Sequence, residues 1–60
     1  MPGLSQMEFN AIREIASGHL MTATKLNEYS QHCTDPQIKQ MFHTAAQEAK
    51  QSAVKLTDML

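Results

Sequence analysis

From Phe9 onward, the apolar and small residues of this sequence recur in strict alternation of three and four positions: Phe9, Ile12, Ala16, His19, Ala23, Leu26, Ser30 and Cys33. That spacing lays them along one face of an α-helix and is incompatible with the two-residue period of a strand. The stripe holds its phase for about seven turns, and a parallel row, Ile15, Thr22 and Tyr29, runs beside it. Ser17-Gly18 falls inside it. An interior Gly costs a helix about 1 kcal/mol relative to Ala, and a Ser-Gly pair can mark a turn. A loop there would reset the phase, however, and the phase is unbroken. The sequence therefore predicts one continuous helix with room for a bend at Gly18; three shorter helices are the alternative reading.

The ends of this helix are written in the flanking residues. After the lead Met1-Pro2-Gly3, Ser5 and Glu8 form a capping-box pattern, in which each side chain can satisfy the other residue's free backbone N–H. Leu4 and Phe9 occupy the positions of a hydrophobic staple. Helix one is thus expected over about residues 6–33. Asp35-Pro36 ends it, because a residue before Pro avoids helical angles and Pro suits a first helical turn. Asp35 is the expected cap of helix two, with Thr34 and Gln37 as an alternative capping pair, and the helix should run over about residues 36–58. Its stripe reads Ile38, Phe42, Ala45, Ala49, Ser52, Leu56 and Met59, widened by Met41, Ala46, Ala53 and Leu60. Gln40, His43, Thr44, Gln47, Lys50, Gln51 and Lys55 form the polar back.

Two helices joined by a turn at about residues 34–35 make an all-α fold, a single antiparallel hairpin over residues 1–60. At 1.5 Å per residue the helices measure roughly 40 and 35 Å. Each stripe is broader than one neighbouring helix can cover, and no third element remains. Chain length sharpens the problem. A domain of about 60 residues buries only ~60% of the surface its unfolded chain exposes, and usually needs disulfides, a metal or a partner. With one cysteine among 60 residues, no disulfide staple or thiolate metal site is available within the chain. The simplest closure is a second copy, giving a two-fold four-helix bundle. Ile12, Ile15, His19 and Leu26 from helix one, and Phe42, Ala45, Ala49 and Leu56 from helix two, are the expected dimer interface.

The same residues exclude several functions. A net charge of -1 supplies no basic excess to hold a phosphate backbone, so no nucleic-acid partner is expected. No apolar run approaches the ~18 residues of a membrane span, and the start lacks the pattern of a signal peptide. A cytoplasmic location is the expectation. Helical bundles that hold two irons use inward Glu residues and Glu-x-x-His motifs. Here the nearest match, Glu48-Ala49-Lys50-Gln51, puts Gln where His is needed, and Glu14 and Glu28 lie away from the helix-one stripe. His19 stands on the apolar stripe with only Thr22 and Ala23 at the positions where a second helical ligand would sit. His32 is explained by the helix C-terminus, which favours a cation, and Cys33 beside it points in a different direction and reads as a packed thiol. The five methionines read as flexible core filling. No catalytic, cofactor-binding or metal-binding residue is expected, and no cofactor.

The run from Ala23 through Phe42, with Tyr29 late in helix one, the Asp35-Pro36 turn and the Ile38-x-x-Met41-Phe42 start to helix two, resembles the small spore coat protein F-like family of sporulating bacteria. The likeness extends through Glu48 to Leu56. It implies a hairpin of ferritin-like, up-down bundle geometry and a structural role associated with the spore coat, in contact with itself and with other coat or helical proteins. Members of that family often carry Glu-Glu-x-His-like residues near position 48, where this chain keeps Glu48 alone. The expected function is that of a non-catalytic, self-associating bundle. The alternative is a degenerate ferritin-like metal or redox protein.

Overall fold

A computed structural model describes residues 3–60; Met1 and Pro2 of the lead lie outside the described residues. Helix α1 spans Gln6–His32 and helix α2 spans Pro36–Thr57, and the two pack against each other as an antiparallel hairpin. α1 passes through Ser17-Gly18 without interruption. At its start the Ser5 backbone N–H donates to Glu8 Oε1 and the Glu8 N–H donates to Ser5 Oγ, both at 3.1 Å. The capping box thereby occupies two N–H groups that the first turn leaves unpaired. At its end Cys33 turns extended, and its N–H donates back to the Tyr29 carbonyl at 3.1 Å. Asp35 opens α2: its carboxylate accepts from the N–H groups of Gln37 at 2.8 Å and Ile38 at 3.3 Å, with Pro36 in the first turn. Asp58 closes it, donating its N–H to the Val54 carbonyl at 2.9 Å.

The most deeply buried residues are small. Ala16, Ala23 and Ser30 recur every seven positions on α1, and Ala46 and Ala53 stand seven apart on α2. Between them lie partly buried side chains, most of them larger: Ile12, His19 and Leu26 on α1, Cys33 just past its end, and Phe42, Ala49 and Leu56 on α2. The register is marked at both ends, where Tyr29 meets Phe42 and where Phe9 and Leu60 line one cleft. It sets Ala16 level with Ala53 and Ala23 level with Ala46. Small side chains at the same height let the two backbones approach, while the bulkier residues interleave above and below. Ser30 is accommodated because its hydroxyl donates to the Asn27 carbonyl at 2.7 Å.

The seam on α2 departs from the stripe read in the sequence. Ala46 and Ala53, placed there at the margin, are each 2% exposed and form its centre, whereas Ile38 and Met59, placed on the stripe, are 46% and 43% exposed. The reason is packing. Apolar residues cover a wide arc of α2, and the alanines that oppose Ala16 and Ala23 give the closest approach.

Among the described residues, no large side chain is fully buried. The chain is a slab 47 × 13 × 9 Å in Cα extent. Its radius of gyration is 14.3 Å, against about 10 Å for a compact chain of this length. Its accessible surface is 4733 Å², against about 3,900 Å² for a compact protein of this mass.

Candidate functional site

A two-helix slab has two broad faces, and here they differ in chemistry. Because the helices run in opposite directions, residues immediately preceding the buried small residues of each helix come to the same side. On α1 these are Ile15, Thr22 and Tyr29, which precede Ala16, Ala23 and Ser30; on α2 they are Ala45 and Ser52, which precede Ala46 and Ala53, with Ile38 one heptad earlier. The Tyr29–Phe42 contact crosses the seam on this side. None of the six carries a charge. Ile15 and Tyr29 are each 53% exposed and Ile38 is 46% exposed, so the face is apolar and open to solvent. The opposite face is formed by Arg13, Leu20 and Asn27 with His43, Lys50 and Thr57. There the Arg13 guanidinium carbon lies 5.8 Å from the Phe9 ring centroid, and His43 meets Gln47 at 3.5 Å. One face is therefore dry in character and the other cationic and polar.

Lys25, Glu48 and Lys55 edge the apolar face, Lys55 standing three positions after Ser52. Lys25 stands three positions after Thr22 and four before Tyr29; Glu48 stands three after Ala45 and four before Ser52. Each is therefore at the outer margin of that face.

No family model matches this sequence, and no curated protein or solved structure does. The site's own geometry must therefore carry the functional argument. The residues expected at a dimer interface divide into two groups. Ile12, His19, Leu26, Phe42, Ala49 and Leu56 lie along the seam inside one hairpin and are already partly covered there. Ile15 is on the open face, and Ala45 lies between face and seam, partly buried. The open face thus draws mainly on Ile15, Thr22 and Tyr29, which the sequence marks as a secondary row, and on Ile38 and Ser52. The sequence marks Glu48 only as the nearest match to a Glu-x-x-His motif and gives Lys25 no role; the edge position of both follows from their three-and-four spacing to the face residues.

The chemistry-bearing side chains are not brought together. His19 is partly buried in the seam, His32 is exposed at the end of α1, and His43 is on the polar face. Cys33 is a free, partly buried thiol at the bend. Among the described residues, no group of three or more His, Cys, Asp or Glu side chains is placed to hold a metal ion. Glu8 is held below its usual carboxylate range by the side-chain and backbone hydrogen bonds from Ser5, which belong to the helix cap. The surface clefts are shallow: one lies at the open end between Leu4, Phe9 and Leu60, and others lie along the outside of α2. Among the described residues, no helix is long and apolar enough to cross a membrane. What this arrangement offers is an elongated face, uncharged from Ile15 to Tyr29 and suited to packing against another helical surface.

Proposed function

We propose that this chain is a non-catalytic structural module that works by self-association, two hairpins packing through their apolar faces into an up-down four-helix bundle. The observation that carries this reading is the pairing of a seam in which no large side chain is fully buried with an open apolar face alongside it. Such a hairpin leaves Ile15, Tyr29 and Ile38 half in water, each Å² of apolar surface forgoing about 25 cal/mol. Packing a second copy over the face recovers that stabilisation without new sequence. The likeness of residues 23–42 to spore coat hairpins supports the same kind of role, a building block among other coat or helical proteins.

Sedimentation equilibrium across a wide concentration range, with circular dichroism melts on the same samples, tests this. The expected result is a species of twice the 6.7 kDa chain mass, with a melting temperature that rises with protein concentration, as mass action requires. A fully helical monomer with a concentration-independent melt would overturn it.

A further inference from the structure

We propose that the second copy is related by a two-fold axis parallel to the helices, so that α1 of each chain lies over α2 of the other and Lys25 of each meets Glu48 of the other. This rests on the self-association reading above and specifies its geometry.

Area comes first. The hairpin exposes about 800 Å² more than a compact chain of its mass. A standard stable interface removes about 800 Å² from each partner. One copy on one face is therefore the right amount of cover. The apolar face is the one to take it, because on the other face Arg13, His43 and Lys50 would each meet a like set across a two-fold axis.

Two face-to-face arrangements keep neighbouring helices antiparallel. In the first, with the axis along the helices, every residue keeps its height. Ile15, Thr22 and Tyr29 of α1 then fall in the gaps between Met59, Ser52, Ala45 and Ile38 of the other copy's α2, each about two residues' rise, roughly 3 Å, from the nearer one. The hairpin overlaps over its whole 47 Å length. In the second, with the axis across the helices, the copy is inverted end to end. Full overlap then lays Tyr29 over Glu8, which occupies the same row as Ile15, Thr22 and Tyr29 at the open end. An aromatic ring would cover the carboxylate that caps α1. In the first arrangement Glu8 lies beyond Thr57, where α2 of the other copy ends, and Ile15, Thr22 and Tyr29 meet uncharged residues.

Edge charges separate the two arrangements. Lys25 and Glu48 lie within about one helical turn of the same height. In the first arrangement they form two symmetry-related pairs of opposite sign. In the inverted one Glu48 lies near Lys55 of the other copy, and Lys25 faces the uncharged edge at Gly18 and Ala11.

The test is a set of charge reversals read by sedimentation of the full chain. Lys25→Glu and Glu48→Lys should each weaken dimerisation by roughly five- to ten-fold, and the double variant should restore it to within about two-fold. Lys55→Glu should leave it unchanged. Coupling of Glu48 with Lys55 instead, and none with Lys25, would overturn the proposal in favour of the inverted copy. A dimer indifferent to all three reversals would overturn it while leaving self-association intact. A wild-type chain that stays monomeric would defeat the underlying reading as well. All three residues are exposed in the hairpin, so the reversals do not disturb its seam.

Discussion

Tyr29 and Phe42 face each other across the hairpin with ring centroids 6.1 Å apart and planes inclined at 58°. A tilted pair at this separation lies within the range of favourable aromatic contacts. It also joins the two parts of the molecule, because Phe42 belongs to the seam while Tyr29 remains 53% exposed on the open face.

The two rings should therefore respond unequally to truncation. Phe42→Ala removes seam packing and should cost about 2–4 kcal/mol, somewhat under the value for a fully buried ring. Tyr29→Ala should cost about 0.5–1.5 kcal/mol in the hairpin itself. Urea melts of both single variants and the double variant give the coupling energy; a value indistinguishable from zero would show that the ring contact contributes nothing of its own.

The two faces should respond unequally to charge. Ile15→Lys places an ammonium in the middle of the apolar face and should abolish self-association. Leu20→Lys, at a site of similar exposure on the polar face, should leave it intact; Ile15 is 53% and Leu20 47% exposed, so neither change reaches the seam. Sedimentation of the two variants at matched concentrations checks this, and the reverse ranking would move the interface to the polar face.

Gly18 lies inside α1, and a Cβ added there meets nothing within 4 Å. Gly18→Ala should stabilise the protein by up to about 1 kcal/mol, through the lower backbone entropy of the unfolded chain. Thermal melts followed at 222 nm measure it. A lower melting temperature would reveal that another surface requires the bare backbone.

Glu8 gives the chain an acid-side stability term with a definite sign. The hydrogen bonds from Ser5 lower its pKa in the folded state. Its contribution is therefore present above the unfolded carboxylate value and lost as pH falls through the folded one. Ser5→Ala removes the hydroxyl's share of this effect but keeps the backbone N–H that donates to Glu8, and so should partly flatten the acid limb of the stability–pH curve. The comparison is of urea midpoints between pH 7 and pH 3; parallel curves for the two proteins would show that the cap does not report on this carboxylate.

Much of this architecture is local and so could be read along the chain. Ser5 with Glu8 and Asp35 with Pro36 satisfy or remove N–H groups within a few residues, so their effect does not depend on what packs nearby. The row of α1 from Ile12 to Cys33 likewise names its own buried side, because Ala16, Ala23 and Ser30 on it are the buried residues of that helix. The candidate face was legible only in part. Ile15, Thr22 and Tyr29 form a visible row, but Ile38 and Ser52 read as seam residues until the second helix is put in place.

What the sequence by itself determined is the existence of two helices, their caps, the bend between them and the inward side of α1. Those features follow from hydrogen bonds and periodicity within one segment. Only the tertiary structure decided which line of α2 turns inward, and with it which residues remain outside. On α2 Ala45, Ala46, Ser52 and Ala53 are all small, so hydropathy alone scarcely distinguishes the two lines they define. The choice falls to Ala46 and Ala53 because they stand level with Ala53's counterpart Ala16 and with Ala23, where small residues on both helices let the backbones close together. Turning that line inward sends Ile38, Ala45 and Ser52 to the side of Ile15 and Tyr29, and so creates the apolar face.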